Sequence, residues 1–239
     1  LQLGAQTITN YTTTDGLISD FVECIDVDVN DNIWFGTSLG AQGFNQSVSS
    51  WETYNLAGPL SGMVSENIKE IKLTKTPPIA GQFWIGTDFG AQLAINSFWI
   101  TYDNTNGLVG NQVKSIDEDA NGGIWVGTNQ GVSYFDGNSW VSYSSPDLHW
   151  SGVNATAFDS NGDKWFGHFR DDRISGEEGL NVLTTADQTR CIGTWKWHGK
   201  WHKFWNGSEY NKVGKLLARY VEGVRKPFLH RRFRRNQHH

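Results

Sequence analysis

Two stretches of this sequence combine residue types that can do chemistry. An aromatic ring beside charged groups can hold a sugar or an organic acid, and a histidine beside carboxylates can act as an acid or base. The residues concerned are His149, Trp150, His168, Arg170, Asp171 and Asp172. We predict that they form a ligand-binding region, with an ordinary polar insertion as the alternative.

A calcium-loop pattern occurs once in full. Residues 117–122, with sequence Asp-Glu-Asp-Ala-Asn-Gly, match the start of an EF-hand loop. The acidic ligand due eleven residues after Asp117 is Thr128, and no helix is expected on either side. The same pattern recurs at residues 26–30, at the matching place in another repeat. A tight hairpin turn therefore explains it better than a calcium site.

A second metal-like pattern lies near the end of the sequence. His198 and His202 have the spacing of zinc ligands on a helix, but the glutamate of the zinc-protease motif is missing. The two cysteines, Cys24 and Cys191, form no metal motif, and two buried thiols are expected rather than a disulfide. We predict neither a metal site nor a cofactor.

The candidate residues stand on a repeated scaffold. The hexapeptide at residues 32–37, Asn-Ile-Trp-Phe-Gly-Thr, returns in related form at 82–87, 123–128 and 163–168. The tryptophans of the four copies are separated by 50, 41 and 40 residues. A period of this length indicates a repeat architecture. In the fourth copy His168 replaces the threonine, and a highly charged insertion follows it.

Each repeat predicts four short antiparallel strands. An alternating run such as residues 22–29 or 113–120 is followed by a polar turn and then by the tryptophan strand. A glycine turn leads to a third strand, as at residues 132–135, and a fourth strand follows, as at residues 140–143. Four such strands describe a propeller blade. We predict an all-β fold, a small β-propeller of about four to five blades, either open or completed by oligomerisation.

The repeat resembles a known family. Residues 107–128 follow the pattern Gly-Leu-x-x-Asn-x-Val-x-x-Ile-x-x-Asp-x-x-Gly-x-Ile-Trp-x-Gly-Thr, and residues 16–37 keep much of it. This pattern is similar to the two-component-regulator propeller repeat, and the similarity covers roughly residues 12–168. The resemblance implies an extracytoplasmic sensor-input propeller. We predict a secreted or periplasmic binding module for a small molecule or a glycan.

Two other functions stay open at this point. One is a propeller hydrolase or lyase that uses His149 or His168 with nearby carboxylates as acid and base. The other is a structural scaffold for protein interactions. No run of 18 apolar residues occurs, so we expect no membrane span.

The N-terminal residues have the pattern of a closing strand. Residues 7–12 read as a fourth blade strand with no earlier strands before it. Tyr11 precedes Gly16 as Tyr102 precedes Gly107. Because an N-terminal strand often completes the last blade of a closed propeller, we predict that residues 6–12 pair with the last blade. Residues 1–189 then form the propeller domain.

From Arg190 onward the composition changes. Residues 1–189 contain seven Lys and Arg against 23 Asp and Glu, whereas the rest contains 13 against two. The tail at residues 190–239 is therefore basic, and it is rich in tryptophan. One interpretation is a real element, partly helical between Val213 and Val224; the other is a fifth blade read in a shifted frame. We expect the tail to dock on the acidic body or on another copy, giving a homo-oligomer, and we do not expect nucleic-acid binding.

Overall fold

The computed structural model describes residues 8–58, 62–95, 98–148, 152–168 and 179–183. Within these ranges the regular structure is β-strand, apart from one short 3-10 turn at Thr13–Asp15. The first sheet contains β1 (Val22–Val27), β2 (Ile33–Thr37), β3 (Gly40–Asn45) and β4 (Ser50–Tyr54). The second contains β5 (Glu70–Leu73), β6 (Phe83–Thr87), β7 (Gly90–Ile95) and β8 (Phe98–Tyr102).

Two more sheets follow with the same plan. The third contains β9 (Val113–Glu118), β10 (Ile124–Thr128), β11 (Gly131–Phe135) and β12 (Trp140–Tyr143). The fourth contains β13 (Val153–Phe158), β14 (Lys164–His168) and β15 (Gly179–Leu183) in the described residues. In every sheet the strands are antiparallel and neighbour one another in chain order. Each sheet is a propeller blade, so the predicted all-β blade architecture is confirmed.

The hairpin between the first two strands of a blade is fixed by an aspartate. In the third blade Asp119 Oδ1 accepts hydrogen bonds from the backbone N–H groups of Asn121 and Gly123, at 2.9 and 3.0 Å. Its other oxygen accepts the indole N–H of Trp125 at 3.0 Å. The same arrangement occurs at Asp28 and Asp159. This aspartate ends the first strand, which is why β1 and β9 stop two residues before the predicted ends.

The hydrophobic core lies between the blades rather than inside any one of them. The tryptophan of one blade packs on an aromatic ring of the next: Trp34 on Phe83, with ring centroids 4.7 Å apart, and Trp125 on Phe166 at 5.6 Å. Three apolar clusters result, one at each boundary between successive blades. The four tryptophans occupy equivalent places on the second strands β2, β6, β10 and β14, as predicted.

The first strands of successive blades lie side by side in the order β1, β5, β9 and β13. In the described residues β13 and β1 do not neighbour one another in this way, so the four blades form an open arc. No helix in this part of the chain is long and apolar enough to cross a membrane.

Residues 8–12, the described part of the predicted closing strand, lie against the first blade. Residues 8–12 carry no strand hydrogen bonding to the described strands. Tyr11 instead packs on Phe44 and Trp51 of the first blade, with ring centroids 5.3 and 6.0 Å away. Tyr54 and Tyr102 pack in the same way on the corresponding tryptophans of the blades that follow them. Tyr11 thus packs on the first blade as the last strand of a preceding blade would, and the pairing of residues 6–12 with the last blade stays a prediction.

Several predictions fall outside the described residues. They concern His149, Trp150, the insertion at 169–178 and the whole tail at 190–239, including Cys191 and the His198 and His202 pair. Cys24 is buried, as expected.

Candidate functional site

The two ends of the blades differ in the loops that they carry. One end holds the hairpins between second and third strands, at residues 38–39, 88–89 and 129–130, together with the segments that lead into β1, β5 and β9. We call this end the hairpin face. The opposite end holds the aspartate turns and the hairpins between third and fourth strands.

The tips of the hairpin face have a fixed backbone. The second strand ends in a buried threonine, whose hydroxyl donates to the carbonyl of the glycine three residues on and accepts an N–H two residues on. These pairs are Thr37 with Gly40, Thr87 with Gly90 and Thr128 with Gly131. Each glycine has a positive φ between 126° and 151°, which other L-residues rarely adopt. The repeated Thr and Gly are therefore structural, as predicted.

The segments that enter each blade are also anchored. Gln42 accepts the Ile18 N–H at 2.8 Å and donates to the Gly16 carbonyl at 2.9 Å. In the second blade Gln92 makes the equivalent pair of hydrogen bonds to Val64 and Gly62. Because these glutamines are buried, their hydrogen bonds hold the segments against the third strand.

The side chains at the tips vary while their backbone does not. The residue before each glycine is Leu39, Phe89 or Gln130, and all three are exposed. Phe89 is 62% exposed. Phe21, just before β1, is also exposed on this face. Strands that hold loop side chains in fixed places are a common arrangement for contacting a ligand.

The fourth blade brings three described strand ends together on this face. β13 begins at Val153, opposite His168 at the end of β14, and His168 in turn faces Gly179 at the start of β15. The segments 149–151 and 169–178 therefore leave from strand ends that lie side by side. His149, Trp150, Arg170, Asp171 and Asp172 belong to these segments and stay predictions.

His168 itself lies in the interior. It is 7% exposed and takes the place that Thr37, Thr87 and Thr128 occupy in the other blades. Its Nδ1 lies 2.7 Å from the Gly152 carbonyl oxygen. This contact ties the start of the first strand to the end of the second, so packing is the role that the described contacts assign to His168. A ligand-binding role for it stays a prediction.

The aspartates at the opposite end are occupied by protein donors. Asp119 accepts three hydrogen bonds, as described above, and the hairpin turn predicted for this pattern is observed at residues 119–122. Burial raises the pKa of the Asp28 carboxyl, but hydrogen bonds from Asn32, Asn30 and Trp34 outweigh it and leave the pKa below its usual value. The described residues contain no group of three or more potential metal ligands.

Charged residues on the first strands link neighbouring blades. Asp26 accepts the Leu73 N–H at 2.8 Å. Glu118 accepts the N–H groups of Lys75 and Thr76, each at 2.7 Å. Asp117 lies 3.8 Å from the Lys72 ammonium group. Each of these carboxylates contacts a neighbouring blade. This structural role argues against a catalytic acid or base at these positions.

A nucleophile-elbow pattern is also present, at Gly36-x-Ser38-x-Gly40, and sequence reasoning missed it. In a hydrolase elbow the serine stands between a strand and a helix. Here Ser38 lies in the tight hairpin between the antiparallel strands β2 and β3. The pattern therefore arises by chance, because the Gly-Thr end of β2 is followed closely by the glycine that begins β3.

Comparisons with known proteins agree with this architecture. Residues 107–130 match the family model described as the two component regulator propeller, which confirms the resemblance of the repeat. A comparison with curated proteins found no match. Among solved structures, the chain is similar to the extracellular domain of the hybrid two component system BT3049 from B. thetaiotaomicron, with 19% identity and a TM-score of 0.59. The match covers 80% of this chain and 24% of that domain.

Two further structures are similar to the chain. The extracellular domain of the one component system BT4673 from B. thetaiotaomicron is 20% identical, with 74% of this chain and 25% of that domain covered and a TM-score of 0.56. Catalytically inactive virginiamycin B lyase from Staphylococcus aureus, solved with quinupristin, is 16% identical, with 77% and 59% covered and a TM-score of 0.55. The chain thus spans about a quarter of the two B. thetaiotaomicron domains. At these identities the likeness establishes a propeller-type fold.

Proposed function

We propose that this chain is an extracytoplasmic binding module, and that its ligand is a small molecule or a glycan bound at the hairpin face. The observation that carries the proposal is the contrast between fixed tip backbones and varied tip side chains, Leu39, Phe89 and Gln130. A sensor-input role fits the two extracellular domains of bacterial regulatory systems to which the fold is similar. The same likeness supports a secreted or periplasmic location.

The fourth blade supplies the polar part of the proposed site. In the sequence, the charged segment 169–178 separates β14 from β15, whereas two residues separate the corresponding strands of the other blades, and it contains Arg170, Asp171 and Asp172. The segment with His149 and Trp150 leaves from the neighbouring strand end. We propose that these segments recognise polar groups of the ligand while Phe89 and Leu39 offer apolar contact. An enzyme that uses His168 is less well supported, because that ring is buried and held by Gly152.

A binding assay with matched variants tests this function. The probes are an array of neutral and acidic oligosaccharides and a panel of organic acids followed by thermal shift, with titration calorimetry on any ligand found. We expect Phe89→Ala and Arg170→Ala each to weaken binding at least tenfold. Val48→Ala is the control, because Val48 is 67% exposed but lies in the hairpin between β3 and β4, at the opposite end. Equal binding by the Phe89 and Val48 variants, or no binding to either panel, would contradict the proposal.

A further inference from the structure

The hairpin face carries an excess of negative charge. In the described residues, its tips and the segments that lead into β1, β5 and β9 contain five carboxylates and one ammonium group. These groups belong to Asp15, Asp20, Glu66, Asp88, Asp103 and Lys69. A surface of one sign attracts ligands of the opposite charge and repels those of its own. This face therefore favours a ligand that brings a positive charge.

Four of the five carboxylates already hold the backbone of this face. Asp20 accepts the Thr13 N–H group at 2.8 Å. Asp15, Glu66 and Asp103 each accept a backbone N–H group in the same way, at 2.8 to 3.0 Å. Because such bonds fix the course of a loop, folding alone explains the presence of these four carboxylates.

Asp88 is the carboxylate that the backbone of this face does not use. It is half-buried at the tip of the second blade, and its side chain makes no hydrogen bond or ion pair within the described residues. The corresponding residues of the first and third blades, Ser38 and Asn129, are uncharged. A carboxylate that has lost part of its water without gaining a partner costs free energy. A ligand that supplies the missing donors would offset this cost.

Phe89 stands beside this carboxylate. Its ring is 62% exposed, and it directly follows Asp88 in the two-residue hairpin. The backbone of the hairpin is fixed, since the Thr87 hydroxyl accepts the Phe89 N–H at 3.0 Å and donates to the Gly90 carbonyl at 3.0 Å. An aromatic ring attracts a cation to its face, and a carboxylate accepts charge-assisted hydrogen bonds from an ammonium group. Asp88 and Phe89 together therefore suit a protonated amine with an apolar body.

We propose that the ligand of the hairpin face carries a protonated amine on an apolar body, as in an amino acid with a large apolar side chain or the amine derived from it. Asp88 accepts the hydrogen bonds of the ammonium group, and Phe89 contacts the adjoining apolar part. This inference rests on the proposed function and narrows its small molecules to those with an amino group. A carboxylate also accepts the hydroxyl groups of a neutral sugar, but such a sugar gains nothing from the negative charge of this face.

Titration calorimetry of the full chain with three related probes tests the amine. The probes are phenylalanine, phenethylamine and 3-phenylpropionate, which share the phenyl ring and differ in the charged groups that they carry. We expect phenylalanine and phenethylamine to bind at least tenfold more tightly than 3-phenylpropionate. Asp88→Asn removes the charge and keeps the shape of the side chain, so it should weaken the binding of both amines at least tenfold.

Asp31→Asn is the matched control. Asp31 is exposed in the aspartate turn of the first blade, at the opposite end, and this variant removes the same charge from the chain. The φ of Asp31 is 63°, a value that asparagine also adopts. The control is expected to bind phenethylamine as the wild type does. Thermal unfolding of both variants checks that each is folded.

The outcomes separate this inference from the proposed function. Equal affinity of the Asp88→Asn and Asp31→Asn variants for phenethylamine would overturn the inference, as would equal affinity of the wild type for 3-phenylpropionate and phenylalanine. Failure of both amines to bind would also overturn it. The proposed function would still stand if a sugar or an acid without an amino group bound in a Phe89-dependent way, and both would fail if no compound bound.

Discussion

The aspartate turn of the third blade offers a sharp test of how these blades are held. Replacing Asp119 by Ala removes the acceptor for the N–H groups of Asn121, Gly123 and Trp125. Asp119 and Trp125 are both buried, so water cannot easily take the place of the carboxylate. Hydrogen bonds to a charged group contribute about 1.5–3 kcal/mol each and are not additive, so we expect a loss of about 4 kcal/mol.

The matched variant is Asp159→Ala in the fourth blade. Asp159 makes the same three hydrogen bonds, but it is half-buried and its contact with the Trp165 indole is 3.4 Å long. Because water can reach these donors, we expect a loss of only about 1 kcal/mol. Since 1 kcal/mol corresponds to about 2–4 °C in a chain of this size, Tm should fall by about 8–16 °C for Asp119→Ala and about 2–4 °C for Asp159→Ala.

Thermal unfolding followed by far-ultraviolet circular dichroism measures both effects. Near-ultraviolet dichroism of the tryptophans checks that the indole of Trp125 has lost its fixed environment. Asp119→Asn keeps one acceptor oxygen and should fall between the wild type and Asp119→Ala. If the Asp119 and Asp159 variants lost equal stability, burial would not be what gives the turn its strength, and the reasoning would be wrong.

Three further predictions concern packing, pH and the N-terminal segment. Gly86→Ala should lower the free energy of unfolding by about 1–3 kcal/mol, because the added methyl group overpacks against Val113. Gly167→Ala should change it by less than about 0.5 kcal/mol. Similar urea midpoints for the two variants would contradict this. Because the pKa of Asp28 is lowered on folding, its carboxylate stabilises the fold above about pH 4, the unfolded pKa, and this contribution is lost as the pH falls through the folded pKa. The Tm difference between wild type and Asp28→Asn should therefore shrink below pH 4, and a constant difference from pH 7 to about pH 2.5 would refute it. Deleting residues 1–12 should lower Tm by several degrees, since Tyr11 covers part of the first blade, and an unchanged melting curve would argue against that packing.

The blade architecture was predictable because its causes are local. The alternation at residues 113–118, the glycine turns and the spacing of the tryptophans each have a short-range physical reason, and together they define four strands per repeat. The match at residues 107–130 falls on the copy in which all of these signals are present.

The site was less predictable because its parts depend on neighbours that are distant in the sequence. His168 was a candidate because histidine can act as an acid or base. Its register position at the end of β14, however, is the one that a buried threonine occupies in the other blades. Phe89 and Leu39 carry no motif, and their exposure follows only once the hairpins are placed on one end of the blades. In the sequence, the one signal for these tip residues was that the residue before each repeated glycine differs from blade to blade.

Because the apolar clusters lie between the blades, each blade depends chiefly on the blades beside it. Stability then behaves as a chain of nearest-neighbour couplings, and opening should begin at the outer blades, which each have one described joint. The hairpin tips take no part in these couplings. Substitutions of the exposed tip residues Leu39, Phe89 and Gln130 should therefore leave the couplings between the described blades largely unchanged.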